Sequence, residues 1–141
     1  MGGDSVLVMR DSSGKIGAFL NVCPHRGNRL CRADNGNASA FICAYHGWAF
    51  GNNGNLQGVP NLQDAYYNDL DRSKWRLVPV AQLDTYKGLV FATFDKDAPS
   101  LMHYLGEMAG DLDSFFDRRE GGGEVIGLTL LHCSRRRQRR H

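Results

Sequence analysis

The chain has 141 residues, of which 42% are hydrophobic, 10% aromatic and 23% charged. These values predict one ordinary globular domain and exclude a disordered or collagen-like polymer. No apolar run approaches the roughly 20 residues needed to cross a bilayer, and residues 1–5 lack the basic start of a signal peptide. We therefore expect a cytoplasmic protein with no membrane association.

The formal net charge of +2 depends on five arginines among the last seven residues: Arg135, Arg136, Arg137, Arg139 and Arg140. Without these five, 12 basic residues face 15 acidic residues and the net charge becomes −3. A basic tail can bind nucleic acid. This tail has no interleaved aromatic residues and follows no recognition element, so we expect no nucleic-acid partner.

The chain begins with the pattern of a β-hairpin. Residues 5–10 and residues 16–21 are rich in strand-forming side chains, and the polar segment 11–14 between them has the composition of a turn. A loop rich in Gly, Asn and Arg then covers residues 23–39.

Further short strands are predicted down to residue 94. Residues 40–43 and 47–50 are short and apolar, and Asn53-Gly54 has the composition of a tight hairpin turn. Residues 75–83 and 88–94 are two more strand-like runs. The second of these runs is almost continuously apolar, which predicts a central strand.

One amphipathic helix is predicted over residues 100–116, with Ser100 as its N-cap. Its apolar side chains recur at steps of three and four residues, as on one face of a helix: Leu101, Leu105, Met108, Leu112 and Phe115. We expect this stripe to pack against other parts of the fold. A run of three glycines at residues 121–123 then breaks the chain.

The residues that carry chemistry are Cys23, His25, Cys43 and His46. They form a C-x-H pair and a C-x-x-H pair separated by seventeen residues. Each pair is predicted to lie on a tight loop between short strands, so that two thiolates and two imidazoles can converge on one site. Two sulfur and two nitrogen ligands suit zinc or an iron–sulfur cluster.

The order of the four ligands separates these two interpretations. A common zinc finger takes two cysteines from one arm and two histidines from the other. Here each loop supplies one cysteine and one histidine, which is what a [2Fe-2S] centre needs when both histidines bind one iron and both cysteines bind the other. A structural zinc site of the Cys2His2 type stays as an alternative that metal content would test.

The sequence resembles the Rieske family, in particular the α subunits of aromatic ring-hydroxylating dioxygenases. Arg26-Gly27 after the first pair and Gly47-Trp48 after the second carry this resemblance. It extends from near Asp4 to near Ile126, and further matching segments lie before, between and after the loops: Phe19-Leu-Asn-Val, Gly36-Asn37, Tyr86-Lys-Gly-Leu and Tyr104-Leu-Gly.

The resemblance implies a mainly β fold, a Rieske-type antiparallel domain with two cluster-binding loops followed by one α-helix. It also implies that Cys23, His25, Cys43 and His46 ligate a [2Fe-2S] cluster. Two neutral imidazoles make the oxidised cluster less negative than four thiolates would, so that it is reduced more easily.

Respiratory members of the family have a disulfide that clasps the two loops, where this chain has Asn28 and Tyr45. By resemblance, the centre is therefore of the low-potential dioxygenase type. Trp48, Tyr45 and Phe50 are expected to pack around the cluster or simply to form core. Arg26 is expected either to pair with an acidic residue of the catalytic domain or to be solvated. His103 is expected at the surface, and Cys31 is expected to be a small buried residue and not a ligand.

In the full enzyme, the resemblance implies an α3β3 assembly fed by a ferredoxin and an NAD(P)H-dependent reductase, with an aromatic hydrocarbon as substrate. One cluster histidine, for which we favour His46 over His25, would face the neighbouring subunit. The mononuclear Fe(II) needs two histidines and a carboxylate. His103, His132 and His141 do not form that set, so this iron belongs to the full-length enzyme only.

We accordingly expect a fragment cut at both ends. Its predicted parts are a Rieske domain at residues 1–99, a helix leading towards an absent catalytic domain at residues 100–120, and an artefactual or disordered tail at residues 121–141. His132 and Cys133 in that tail are assigned no role. The alternative function is a free-standing Rieske ferredoxin, which would carry electrons with the same ligands.

Overall fold

The computed structural model of the chain describes residues 3–117, which form two compact units, residues 3–79 and residues 80–117. The predicted glycine break and arginine tail lie outside the described residues. The predicted limits of the Rieske domain, residues 1–99, stay a prediction.

The first unit opens with the predicted hairpin. Strands β1 (Val6–Arg10) and β2 (Ile16–Leu20) pair in antiparallel register. The turn is held by the Asp11 carboxylate, which accepts hydrogen bonds from the backbone N–H groups of Ser13 and Lys15, both at 2.9 Å. A short polar side chain that bonds the following backbone in this way is typical of tight turns.

The second sheet contains β3 (Ala40–Ile42), β4 (Ala49–Gly51) and β5 (Leu56–Gly58), in that order. The predicted Asn53-Gly54 turn joins β4 to β5. Gly54 has a φ of 79°, and a Cβ at this position would overlap the ring of Phe19. Only glycine therefore allows both the left-handed backbone and the close packing of that ring.

Two short helical segments that the sequence analysis missed complete this unit. The helix α1 (Leu62–Tyr66) is followed by a 3₁₀ turn (Arg72–Trp75), whose N-terminus is capped by the Asp71 side chain. The strand predicted over residues 75–83 is therefore misplaced, since its start is helical and the strand itself begins at Gln82.

The chain returns to the first sheet after the 3₁₀ turn. The Leu77 N–H donates to the Gly54 carbonyl at 2.8 Å, and the Leu20 N–H donates to the Val78 carbonyl, also at 2.8 Å. These bonds connect the two sheets through one extended segment. The core of this unit consists of ten buried residues: Leu7, Met9, Phe19, Cys23, Leu30, Cys43, Trp48, Phe50, Leu56 and Leu77.

The second unit begins with a hairpin of β6 (Gln82–Tyr86) and β7 (Leu89–Thr93). Lys87 and Gly88 between them both have positive φ, as in the two-residue turn that matches strand twist. The prediction of a central strand is wrong, because β7 pairs with β6 alone among residues 3–117 and is half-buried throughout. An apolar run does not report how many neighbours its strand will have.

The predicted single helix is in fact two helices, α2 (Leu101–Leu105) and α3 (Met108–Phe116). Gly106 ends α2 with a φ of 52°. Ser100 caps α2 as predicted, accepting a hydrogen bond from the His103 N–H at 3.4 Å. None of the helices in the described range is long and apolar enough to span a membrane.

Because the helix is interrupted between α2 and α3, only part of the predicted apolar stripe is buried. Leu105 and Ala109 are buried, whereas Met108 is 57% exposed and Phe115 is 59% exposed. Despite these differences in detail, the described residues form mainly antiparallel β structure, as the sequence analysis predicts.

Candidate metal centre

The first ligand-bearing loop, residues 23–28, is closed at its base by a bridge between Val22 and Arg29. The Cys23 N–H donates to the Asn28 carbonyl at 2.8 Å, and the Gly27 N–H donates to the Cys23 carbonyl at 2.9 Å. Gly27 has a φ of 72°, a conformation that lets the loop turn back on itself.

The second loop, residues 43–48, has the same construction on the β3–β4 hairpin, closed by the pairing of Ile42 with Ala49. The Cys43 N–H donates to the Trp48 carbonyl at 2.8 Å, and the Gly47 N–H donates to the Cys43 carbonyl at 2.9 Å. The cysteine is therefore the first residue and the left-handed glycine the fifth residue of each loop. The two loops differ in the place of their histidine.

The two loop cysteines are buried and lie within hydrogen-bonding reach of each other. Burial raises the pKa of the Cys23 thiol, and the neighbouring Cys43 raises it further. Burial alone would also raise the pKa of Cys43. There the backbone N–H groups of Tyr45 and His46 and the side chain of Asn28 outweigh burial, so the pKa of Cys43 is lowered.

The two loop histidines also meet. The ring centroids of His25 and His46 are 4.6 Å apart, with the planes 69° from parallel. Burial lowers the pKa of His25, and the charges of His46 and Arg26 lower it further, a direction that favours the neutral ring. The Nδ1 atom of His25 is buried and has no hydrogen-bond partner.

The indole of Trp48 lies against one of these two rings, that of His25. It is stacked on His25 at a centroid distance of 4.5 Å and is 1% exposed. Trp75 and Tyr66 contact the other sides of the indole edge-on, at 5.2 and 6.1 Å. Trp48 and its neighbour Phe50, which has no exposed surface, are both part of the core, and Trp48 also contacts a candidate ligand.

Tyr45 differs from the expectation that it packs around the site. Its ring lies 3.8 Å from that of His46, yet the residue is 59% exposed. A tyrosine can cover an apolar neighbour with one face and present the other face to water. His103 is exposed, as predicted, and Arg26 is exposed in this chain.

Two asparagines hold the loops, and the sequence analysis assigned a structural role to neither. Asn21 is buried: its amide nitrogen donates to the Cys31 carbonyl at 2.7 Å, and its oxygen accepts from the Cys31 N–H at 2.8 Å. Asn28 lies 3.6 Å from the Cys43 sulfur through its side-chain nitrogen. A polar residue at the end of an apolar strand, such as Asn21, is the one signal that could have indicated such a role.

Cys31 lies apart from the four candidate ligands. It is half-buried, and its thiol donates to the Ala33 carbonyl at 3.6 Å. None of the three cysteines in the described part of the chain forms a disulfide. Cys133 and His132 lie outside the described residues.

The four candidate ligands form two pairs. The two thiols lie together, and the two imidazole rings lie together. Within residues 3–117, no three His, Cys, Asp or Glu side chains surround a single point where one metal ion would sit. Pairs suit a [2Fe-2S] cluster whose two irons each take two protein ligands. The unpartnered, buried Nδ1 of His25 is also the kind of atom that binds a metal. These residues therefore fit the cluster.

The chain is similar to the large subunits of aromatic dioxygenases. It is 47% identical over 127 residues to the large oxygenase component of the naphthalene 1,2-dioxygenase system of Pseudomonas fluorescens, covering 90% of this chain and 28% of that protein. It is 48% identical to the α subunit of biphenyl 2,3-dioxygenase of Rhodococcus jostii (strain RHA1), covering 89% of this chain and 27% of that protein. The chain thus spans little more than a quarter of these curated relatives.

Solved structures show the same likeness. Naphthalene 1,2-dioxygenase with indole in its active site matches with a TM-score of 0.82 and 46% identity, over 90% of this chain and 28% of that chain. The apo form of a quaternary ammonium Rieske monooxygenase matches with a TM-score of 0.72 and 28% identity, over 82% of this chain and 33% of that chain.

The sequence profile of the Rieske [2Fe-2S] domain matches residues 1–87, which is more than half of the chain and includes both ligand-bearing loops. The fold, the two loops and the relatives agree with this match. The chain belongs to the Rieske [2Fe-2S] domain family.

Proposed function

We propose that this chain is the electron-transfer part of the α subunit of an aromatic ring-hydroxylating dioxygenase, with Cys23, His25, Cys43 and His46 as ligands of its [2Fe-2S] cluster. Membership of the Rieske family implies that cluster. When bound, it would supply one-electron redox chemistry. The observation that carries the proposal is the pairing of two buried thiols and of two imidazoles at the meeting point of two loops of the same construction.

The chain's own residues prepare the site in two ways. The hydrogen bonds inside each loop fix the backbone of the cysteines, so that little ordering is needed when a group binds. The buried indole of Trp48 keeps water from one face of His25, and a dry shell of this kind tunes the potential of a metal group.

We further propose that His46 is the ring that faces a partner. His25 is backed by the buried indole of Trp48, and its Nδ1 is enclosed. His46 instead lies under the exposed ring of Tyr45. A carboxylate of a neighbouring subunit could accept a hydrogen bond from the free N–H of a ligated His46.

The remaining parts of the function lie with the full-length protein. We propose that it holds a mononuclear Fe(II), assembles with β subunits as α3β3, and receives electrons from a ferredoxin and an NAD(P)H-dependent reductase. The relatives named above as large or α subunits support an oxygenase component rather than a free-standing ferredoxin. We also propose a cytoplasmic location, because the ligand cysteines must stay reduced to bind iron.

We propose an aromatic hydrocarbon as the substrate of the full-length protein. Relatives named for naphthalene, biphenyl and chlorobenzene are 42–50% identical to this chain, whereas the quaternary ammonium monooxygenase is 28% identical. The Rieske part occurs in both kinds of enzyme, so the higher identity to the aromatic dioxygenases supports this choice.

The test is an electron paramagnetic resonance spectrum of the dithionite-reduced 141-residue chain, reconstituted anaerobically with iron and sulfide, together with its iron, sulfide and zinc content. We expect about two irons and about two sulfides per chain, and a rhombic signal with the low average g value of histidine-ligated clusters. A silent protein that retains one zinc would overturn the proposal and favour a structural zinc site.

A further inference from the structure

Asn28 contacts both ligand-bearing loops. It closes the first loop through its backbone carbonyl, which accepts the Cys23 N–H at 2.8 Å. Its side chain reaches the second loop, where Nδ2 lies 3.6 Å from the sulfur of Cys43. A distance of 3.6 Å is within the range for a hydrogen bond to sulfur, because sulfur is larger than oxygen. One residue therefore joins the two cysteines.

The amide of Asn28 is oriented by a second contact. Nδ2 also donates to the Arg29 carbonyl at 3.1 Å. A carbonyl oxygen can only accept, so the amide atom that faces Arg29 must be the nitrogen. Its two hydrogens suffice for both bonds, one to Arg29 and one to Cys43. The side chain thus presents a fixed donor to the sulfur.

The donor differs from the other groups around the cysteines. The sulfur of Cys23 is approached by the backbone N–H groups of His25 and Arg26, and that of Cys43 by those of Tyr45 and His46. These backbone donors are positioned by the conformation of the loop itself. Asn28 adds a side-chain donor to the Cys43 sulfur, and substitution can remove this donor without changing the loop backbone.

A hydrogen bond to a ligand sulfur favours the more negative state of the cluster to which that sulfur belongs. Adding one electron makes a [2Fe-2S] cluster more negative by one charge. We propose that Asn28 is a positioning residue that raises the reduction potential of the bound cluster through its bond to the Cys43 sulfur. This inference rests on the proposed assignment of Cys43 as a cluster ligand.

The test compares reduction potentials of the reconstituted 141-residue chain and its variants, titrated with dithionite and redox mediators and followed by electron paramagnetic resonance. In Asn28→Leu, which has a similar size and no donor, we expect the equilibrium constant for one-electron reduction to fall about three- to tenfold. A tenfold change corresponds to about 59 mV for a one-electron couple. The iron content and the rhombic line shape should stay unchanged.

Two further variants sharpen the comparison. Asn37→Leu makes the same chemical change at an exposed position between the loops and should leave the potential unchanged. Asn28→Asp keeps the shape but replaces the donor with a negative charge, so its equilibrium constant should fall further than that of Asn28→Leu. The Asp variant also serves if Asn28→Leu fails to assemble a cluster.

The possible results are distinct. A lower potential in both Asn28 variants, with the control unchanged, supports the inference. Assembled clusters whose potentials equal that of the unaltered chain would overturn it and leave the proposed function intact. Failure of the unaltered chain to bind two irons would overturn the ligand assignment and this inference together.

Discussion

The imidazole of His25 is stacked on the indole of Trp48, with the ring centroids 4.5 Å apart and the planes 1° from parallel. The indole is itself fixed by edge-on contacts with Trp75 and Tyr66. The orientation of a candidate ligand is thus set by the packing of the core, not by a flexible loop. Stability and site geometry should therefore change together when the indole is removed.

Replacing Trp48 by Leu should lower the free energy of unfolding by about 2–3 kcal/mol, because the smaller side chain leaves a cavity under His25. Trp48→Phe, which keeps an aromatic face, should cost less. Urea unfolding followed by circular dichroism measures both. Tyr67→Leu is the matched control, since Tyr67 is 84% exposed and its loss should change stability by less than about 0.5 kcal/mol. A cost for Trp48→Leu as small as that of the control would contradict the role given to the stack.

The ligand assignment predicts a sharp difference among cysteines. Cys43→Ala and His25→Ala should each prevent stable binding of the cluster, because one iron would lose one of its two protein ligands. Cys31→Ser should bind it normally, since the Cys31 thiol is directed to the Ala33 carbonyl. Iron content and the visible spectrum after reconstitution show which variants bind the cluster. Loss of the cluster in Cys31→Ser would refute the assignment.

The loop position of each Cys and His pair could be predicted because its information is local in the sequence. The spacing of Cys23 and His25, and of Cys43 and His46, places each pair on one short loop, and the hairpins around them are defined by turn residues. Loop construction depends on contacts over a few residues, which a sequence pattern records directly.

The parts that could not be predicted depend on contacts that are distant in the sequence. The bond from Asn28 to Cys43 spans fifteen residues, and no local pattern distinguishes Asn28 from a solvated asparagine.

The break between α2 and α3 could not be predicted for another reason. A lone glycine such as Gly106 is tolerated inside many helices, so the apolar spacing on either side favoured one continuous helix.

The two loop glycines offer a matched pair of substitutions. Gly27 and Gly47 have nearly the same φ, 72° and 71°, so alanine costs about 1–2 kcal/mol of backbone strain at either position. A Cβ on Gly27 would meet nothing within 4 Å, whereas a Cβ on Gly47 would lie 2.8 Å from Cγ of Pro60. Gly47→Ala should therefore lose about 1–3 kcal/mol more than Gly27→Ala. Equal urea midpoints for the two variants would show that Pro60 moves away freely.

A cluster of charges in the second unit predicts that the stability of the fold depends on pH. The Tyr86 hydroxyl donates to the Asp113 carboxylate at 2.7 Å, and Lys87 lies 3.4 Å from the same oxygen. The bond from Tyr86 lowers the pKa of Asp113, and Lys87 lowers it further. Because the pKa is lower in the folded state, this carboxylate contributes stability above its unfolded pKa, and the contribution is lost as the pH falls through the folded pKa.

Removing the Tyr86 hydroxyl tests directly whether this group lowers the pKa of Asp113. In Tyr86→Phe, the pKa of Asp113 should rise towards its ordinary value, because the largest of the groups that lower it is gone. Carboxyl carbon chemical shifts followed by NMR between about pH 2 and pH 6 measure the change. Tyr104→Phe removes a hydroxyl from a residue that is 73% exposed on α2 and should leave Asp113 unaffected. If the Asp113 titration is the same in Tyr86→Phe as in the unaltered chain, Lys87 alone must hold the carboxylate, and α3 is tied to the β6–β7 turn by charge and not by the tyrosine.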